Sequence, residues 1–514
     1  MNGAEVLLRT LTANGVDTCF MNPGTSEMQF VAALDRVPAM RGVLCLFEGV
    51  CAGAADGYAR MTGRPAATLL HLGPGLANGL ANFHNARKAR SAIVNIVGEH
   101  STEHLRYDAP LTADVAAFAQ PVSGWVRTLE SAERMGEAAS ECVGAARSAP
   151  GQVATLIIPA DHSWNGGGAL GGRAEVAARI VPDVRQARSL LGPATGLLLS
   201  GSALSEDALG WAWRISEATG TRVFANRYAG RIRRGRGVFG VPRVAYFPEP
   251  AEEMLAGLTD LILVEAEAPV SFFGYPNRRS TLAPLDCRMH VLAKQDEDGA
   301  SALAALAAGF ADVRMRAGEA VELPPDGALT PETMGQTIAA LLPYDAIVCD
   351  EMVSSGEPVN AWLGSAAAHD LLPVTGGSIG QGLPVAVGAA VACPGRKVIA
   401  LEADGSGMYT LQALWTMARE GLDVVVVIFA NRRYRILDVE MKRTGAAVIG
   451  PRAEEMVDIG RPEIDWVRIG ESMGVRAVAA RTAEEFSSAF AEACGRPGPC
   501  LIEAILAPAS VSQR

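Results

Sequence analysis

An aspartate and an asparagine 27 positions apart, Asp404 and Asn431, each close an apolar run in the stretch ALEADGSGMYTLQALWTMAREGLDVVVVIFAN. The segment 397–404 reads as a strand ending at Asp404, and Gly405-Ser406-Gly407 as a tight turn. The spacing then predicts a helix over 408–420 with Leu411, Leu414, Trp415 and Ala418 on one face, stopped at Gly421, and a second strand ending at Asn431. In such a βαβ unit the two strands run parallel, so both polar residues emerge at one carboxyl edge, where α/β sheets bind ligands. A carboxylate and an amide oxygen side by side make an all-oxygen site suited to Mg²⁺, with Ca²⁺ able to take its place. The glycines let backbone N–H groups approach a phosphate at a helix start. The plainer reading is a tight turn in which Asp404 caps the helix.

A second polar pair stands in GVLCLFEGVCAGAADGYARMTGRPAATLLHLGPG, residues 42–75. Glu48 is expected to end one strand and His71 the next, with an Ala- and Gly-rich helix between them that can pack closely on another surface. A glutamate at the tip of an apolar strand is costly to bury unpaired, and its pKa would rise there. The alternative is a helix-start glutamate favoured by the helix dipole.

The elements that must position these residues follow from the rest of the chain. Strand-length apolar runs alternate with helix-length segments through most of the 514 residues, which implies parallel sheets with crossover helices. The glycine-rich WNGGGALGG at 164–172 and the stretch 317–332 read as linkers, the second closing on a helix with Thr330 as N-cap and Pro331 in its first turn. Three α/β domains result, 1–165, 180–325 and 330–514, each a doubly wound parallel sheet. In the middle one, GLLLSG, TRVFANR, DLILVEAE and RMHVLAK read as strands, and no GxGxxG turn supports a dinucleotide site. The Arg-rich run 227–240 reads as a solvated loop, with anion binding the lesser alternative.

A net charge of −11 argues against a nucleic-acid surface. The nine cysteines form no CxxC pair, and the first residues read as an amphipathic helix ending at Gly15 rather than a signal peptide. No apolar run approaches the ~18 residues that span a bilayer. The expectation is a reduced, cytoplasmic protein without membrane or nucleic-acid partners.

The Asp404-Gly405…Asn431 spacing resembles the thiamine diphosphate-binding motif, with Ala403 and Ala430 in place of a glycine and a first asparagine. FEGVCAGAADGYAR resembles the same family's glutamate signature. The chain is thereby similar along its whole length to the thiamine diphosphate-dependent 2-oxo acid decarboxylase and acetolactate synthase family. FMNPGTSEMQF at 20–30 and LLHLGPGLAN at 69–78 resemble benzoylformate decarboxylase in particular.

The resemblance implies a pyrimidine-binding first domain, a central domain and a diphosphate-binding third domain. It implies that Glu48 hydrogen-bonds the cofactor's aminopyrimidine ring, that His71 moves protons, and that Thr25 touches substrate. Asp404, Asn431 and the carbonyl of Arg433 would hold Mg²⁺. Ile379 would wedge the cofactor, Gly377 belongs to its glycine-rich segment 375–390, and Gly405, Ser406 and Ser354 would face the diphosphate.

It further implies a small 2-oxo acid substrate and a homodimer as the smallest complete unit, with a homotetramer as the expected assembly. One departure stands out: 267–280 lacks the second histidine that benzoylformate decarboxylase draws from its middle domain. His104, in the loop VGEHSTEHLRYDAP, is the reserve acid–base residue, although a lone loop histidine is more often only solvated. An acetolactate synthase-like carboligase is the second reading. It usually brings FAD to the middle domain, and no FAD signature is seen. A catalytically silent cofactor-binding subunit is the third; it would require the loss of Glu48, Asp404 or Asn431, and all three are present.

Overall fold

The computed structural model describes residues 1–313, 315, 318–446 and 450–506; residue 317 of the second linker and 507–514 of the third expected domain lie outside these. Three sheets carry the fold. The first holds β1 (Thr18–Asn22), β2 (Arg41–Leu44), β3 (Ala66–Leu70), β4 (Ile93–Glu99), β5 (Trp125–Thr128) and β6 (Val153–Pro159). They are all parallel and lie in the order β2-β1-β3-β4-β6-β5. After β7 (Thr195–Leu199) and β8 (Arg222–Ala225) the chain sends a short strand, β9 (Ile232–Arg234), to the third sheet. It returns with β10 (Asp260–Val264) and β11 (Arg288–Ala293) to complete a parallel second sheet, β11-β10-β7-β8. The third holds β12 (Ile347–Glu351), β13 (His369–Pro373), β14 (Val398–Ala403), β15 (Val424–Ala430), β16 (Arg476–Ala480) and β17 (Cys500–Ile505). Its order is β16-β17-β15-β14-β12-β13, parallel throughout, with β9 added antiparallel on β13. The expected α/β class with parallel-dominated sheets is what the chain forms.

The apolar runs become strands because helices cover both faces. All seven residues of β15, VVVVIFA, are buried, as a central parallel strand requires. The helix Gly382–Ala392 is buried almost all round, and it packs on the nearly buried helix Glu48–Thr62 through small residues. A Cβ on Gly57 would lie 2.2 Å from the Val385 carbonyl oxygen, and one on Gly388 would lie 1.8 Å from that of Ala54. The first and third sheets are thus joined backbone to backbone within one chain. The buried Asp56–Arg60 ion pair (2.5 Å) strengthens the join: Arg60 also donates to the Pro373 carbonyl and the Thr375 hydroxyl, and Gln381 donates to Asp56.

Several expectations need correcting. The Arg-rich run is not a solvated loop. It supplies β9, because Asp370 on the facing strand, with Asp345 and Glu206, neutralises Arg231 and Arg233. The helix expected over 408–420 is broken: one turn forms at Asp404–Gly407 and the helix proper is Ala413–Arg419. Its buried face is Ala413, Leu414, Thr416 and Met417, while Trp415 is only half-buried and lies under Arg419. The glycine-rich 164–172 is no free linker. It lies flat on the first unit, where Gly168 and Gly171 come so near the carbonyls of Glu133 and Gly136 that a Cβ would lie 2.1 and 2.0 Å away. Thr330 does cap its helix, in a reciprocal capping box with Thr333. Among the described residues no helix is long and apolar enough to cross a membrane.

Candidate active site

Glu48 is not a strand tip. The sheet strand β2 ends at Leu44, Phe47 is the extended N-cap residue, and Glu48 opens the helix Glu48–Thr62, so its carboxylate sits in the positive end of the helix dipole. It is buried, and its two oxygens accept from Asn22 Nδ2 (3.1 Å), at the end of β1, and Asn78 Nδ2 (3.0 Å). His71 likewise falls just past its strand, as N-cap of the helix Leu72–Ala89. Gly75 lies between the two side chains: a Cβ there would be 3.3 Å from Glu48 Oε1 and 3.5 Å from the His71 Cβ.

Glu27, to which the sequence drew no attention, completes this cluster. Its carboxyl is 2.8 Å from His71 Nδ1 and accepts from the Gly24 N–H at 2.8 Å. Burial pushes the Glu27 carboxyl up, against the opposing pull of His71. The pairing fixes the imidazole edge that faces away from Glu27 as the free one. The only signal in the sequence was Glu27 three residues after Gly24, the spacing at which a glutamate side chain reaches back to the N-cap N–H. Thr25 itself is exposed in that turn. His104 is exposed too, 5.2 Å ring to ring from His100, whose pKa burial, His104 and His71 together lower.

At the third sheet, β14 and β15 are neighbours, with Ala403 opposite Phe429, so Asp404 and Asn431 leave the same edge side by side. Asp404 is buried, and burial raises its pKa to about 6. Its oxygens accept from the N–H groups of Gly405 (2.9 Å) and Arg432 (2.5 Å), and Asn431 Oδ1 accepts from Arg433 N (2.9 Å). The Arg433 carbonyl accepts from Arg435 N at 2.8 Å. The Ser406 hydroxyl donates to Glu402 and so turns inward, leaving its backbone N–H as what it can offer a ligand. Gly405 carries the ring of Tyr434 2.5 Å from where a Cβ would be, so only glycine fits the corner.

The glycine-rich segment is positioned from two sides. Below it, the buried Glu351 carboxyl accepts from Gly380 N (2.7 Å) and Gly382 N (2.5 Å); burial raises the pKa of Glu351 and of its buried neighbour Glu402. Above it, the helix Leu72–Ala89 grips it. Asn82 bridges the carbonyls of Gly49 (2.9 Å) and Gly380 (3.1 Å), His84 meets the Gly376 carbonyl (3.1 Å), and Asn85 donates to the Ser378 carbonyl (2.7 Å). Gly377, at φ 77°, and half-buried Ile379 lie in the gripped stretch, and Ser354 stands half-buried in the turn after β12. Leu72, Val353 and Arg432 have φ of 51°, 50° and 59°, strained for residues with a Cβ, and each borders one of the clusters described here.

Two family descriptions match this chain. The thiamine pyrophosphate enzyme N-terminal TPP binding domain covers residues 1–119, and the corresponding C-terminal TPP binding domain covers 361–504. A Mycobacterium tuberculosis protein named for an acetolactate synthase large subunit, IlvX, is 50% identical over 513 residues, covering 98% of this chain and 99% of its own. The chain is a thiamine pyrophosphate enzyme. Benzoylformate decarboxylase of Pseudomonas aeruginosa is 30% identical to the enzyme over 530 residues, with 96% of each covered. Among solved structures, the 4-hydroxybenzoylformate decarboxylase of Rhodococcus jostii superposes with a TM-score of 0.85 over 99% of both chains at 24% identity, a likeness of fold. Glu48 and His71 fall in the first matched stretch, and Asp404 and Asn431 in the second. The oxygen donors Asp404, Asn431 and the Arg433 carbonyl, gathered at one sheet edge, are the hard ligand set that a metal-bound diphosphate takes.

Proposed function

We propose that this thiamine pyrophosphate enzyme decarboxylates a small 2-oxo acid without oxidation, with a divalent ion holding the cofactor's diphosphate. The observation that carries the reading is the juxtaposition of Glu48 and His71 across Gly75, the one fixed by two asparagines and the other by Glu27. Asp404, Asn431 and the Arg433 carbonyl would hold Mg²⁺, with Ca²⁺ able to replace it, and Gly405 and the N–H groups of the turn would face the diphosphate. Thiamine diphosphate, when bound, supplies the thiazolium ring that takes up the electron pair left by departing CO2. Glu48 then hydrogen-bonds the aminopyrimidine and holds or accepts its proton. His71 presents the nitrogen not engaged by Glu27 and delivers a proton to the product carbon, with Thr25 and His104 at the mouth on the substrate side. Glu351, Asn82 and Asn85 position the glycine-rich segment, so that Ile379 meets the cofactor in one orientation.

The complete site forms between two copies of the chain. Among the described residues Glu48 and Asp404 share no hydrogen-bond partner within one chain, and apolar side chains stand exposed by each in the sequence, Leu46 by the first and Met408 and Tyr409 by the second. A second reading, an acetolactate synthase-like carboligase, draws on the 50% identity to the mycobacterial protein. The test is CO2 release from a panel of 2-oxo acids, with and without thiamine diphosphate and Mg²⁺, with product analysis on pyruvate. Cofactor-dependent CO2 and aldehyde support the decarboxylase, acetolactate from pyruvate supports the carboligase, and no turnover on any acid overturns both.

A further inference from the structure

A cavity of about 520 Å³ opens at the carboxyl edge of the second sheet, lined by Ser200, Ser202, Arg227, Tyr228, Glu265 and Phe272 among others. It lies where the strand order turns back between β7 and β10, the position at which open α/β sheets receive ligands. Two elements there carry the N–H groups that normally bind a ligand phosphate: the turn after β7, with Ser202, and the first residue of the helix Gly299–Ala307.

Both are already taken. Glu265, at the end of β10 and only 6% exposed, accepts from Ser202 N at 2.9 Å through one oxygen and from Gly299 N at 2.8 Å through the other. The Ser202 hydroxyl donates to it as well, and the Arg179 guanidinium lies 2.8 Å away. Its φ of 52° is strained for a residue with a Cβ, so the backbone departs from its preferred range to bring the carboxylate in. The two glycines facing it leave room for it and nothing more: a Cβ at Gly201 would lie 2.0 Å from Glu265 Oε2, and one at Gly299 would lie 2.7 Å from Oε1.

We propose that the second sheet carries its own anion. The Glu265 carboxylate occupies the phosphate cradle of this cavity, and the enzyme works without a flavin or any nucleoside phosphate seated there. A phosphate brought to the cradle would find both N–H groups spent and would meet a fixed negative charge with its counter-ion, Arg179, already engaged. The inference uses none of the residues assigned to the thiamine site, so the two stand or fall separately. It also removes from the middle of the molecule the flavin that the carboligase reading expects.

The experiment is equilibrium titration of the enzyme, loaded with thiamine diphosphate and Mg²⁺, with ADP and with FAD, for the native chain and for Glu265→Ala. The native chain is expected to show no saturable binding of either up to about 1 mM. Glu265→Ala, shown folded by circular dichroism and retaining thiamine diphosphate affinity, is expected to bind ADP at least tenfold more tightly than the native chain. Saturable micromolar binding of ADP or FAD to the native chain overturns the proposal, and so does a folded Glu265→Ala chain with no gain. Should that variant not fold, the native titration decides alone: binding contradicts the proposal and its absence supports it.

Discussion

Replacing one oxygen of the Glu48 carboxyl by nitrogen sets an N–H against a neighbouring amide N–H donor, because Asn22 and Asn78 both present Nδ2 to it. Glu48→Gln is therefore expected to lower CO2 release by about 100-fold or more, the scale of a lost general acid–base group, while cofactor affinity by fluorescence titration stays within about tenfold. Glu27→Gln leaves Glu48 in place and frees the His71 ring, so kcat should fall about tenfold with little change in KM. Away from the site, burial lowers the His369 pKa to about 4, with its Nδ1 hydrogen-bonded to the Ala367 carbonyl. The unfolded chain takes up that proton near pH 6.5 and the folded chain only near 4, so this contribution is intact above 6.5 and is lost as pH falls through the window. Denaturant melts from pH 7 to 4 should show His369→Gln losing less stability than the native chain, by up to about 3 kcal/mol. That Glu48, His71, Asp404 and Asn431 each fall just past an apolar run was legible in the sequence. Glu27, Asn22 and Asn78 were not, because they act through space, from a turn, a strand end and a helix that only folding brings together.

At the scale of elements, the contact between the helices Glu48–Thr62 and Gly382–Ala392 carries the sharpest expectation. A methyl group at Gly388 has the Ala54 carbonyl, a backbone atom, in its way, so the helices must part. Gly388→Ala should cost about 2–4 kcal/mol in urea unfolding, against near neutrality for an alanine at half-buried Gly210, where a Cβ meets nothing within 4 Å. The strands were readable as continuous apolar runs, since both faces of a parallel sheet are covered. The small strand β9 was hidden by its charges: Arg231 and Arg233 look solvated until Asp345 and Asp370, more than 100 residues away, are set beside them. The helix break at Met408–Gln412 was equally hidden. The periodicity continues through it, while the turn is held by Thr410, whose hydroxyl donates to the Gly380 carbonyl, a contact between distant segments.

Over the whole molecule, the alternation of runs foretold three parallel sheets, but not that a strand from the middle of the chain would extend the third sheet, nor how closely the first and third units interlock. The proposed site joins Glu48 on the first sheet to the Asp404–Asn431 corner on the third, completed by a second copy in a symmetric dimer. That arrangement separates the two residues genetically. Glu48→Gln and Asp404→Asn chains, each inactive alone, are co-expressed and CO2 release is measured on the mixed dimers. If the site forms across two copies, every mixed dimer holds one intact site, and random pairing restores about a quarter of native activity. If both residues serve one chain's own site, no dimer holds an intact one, and a mixture as inactive as its parents contradicts the account.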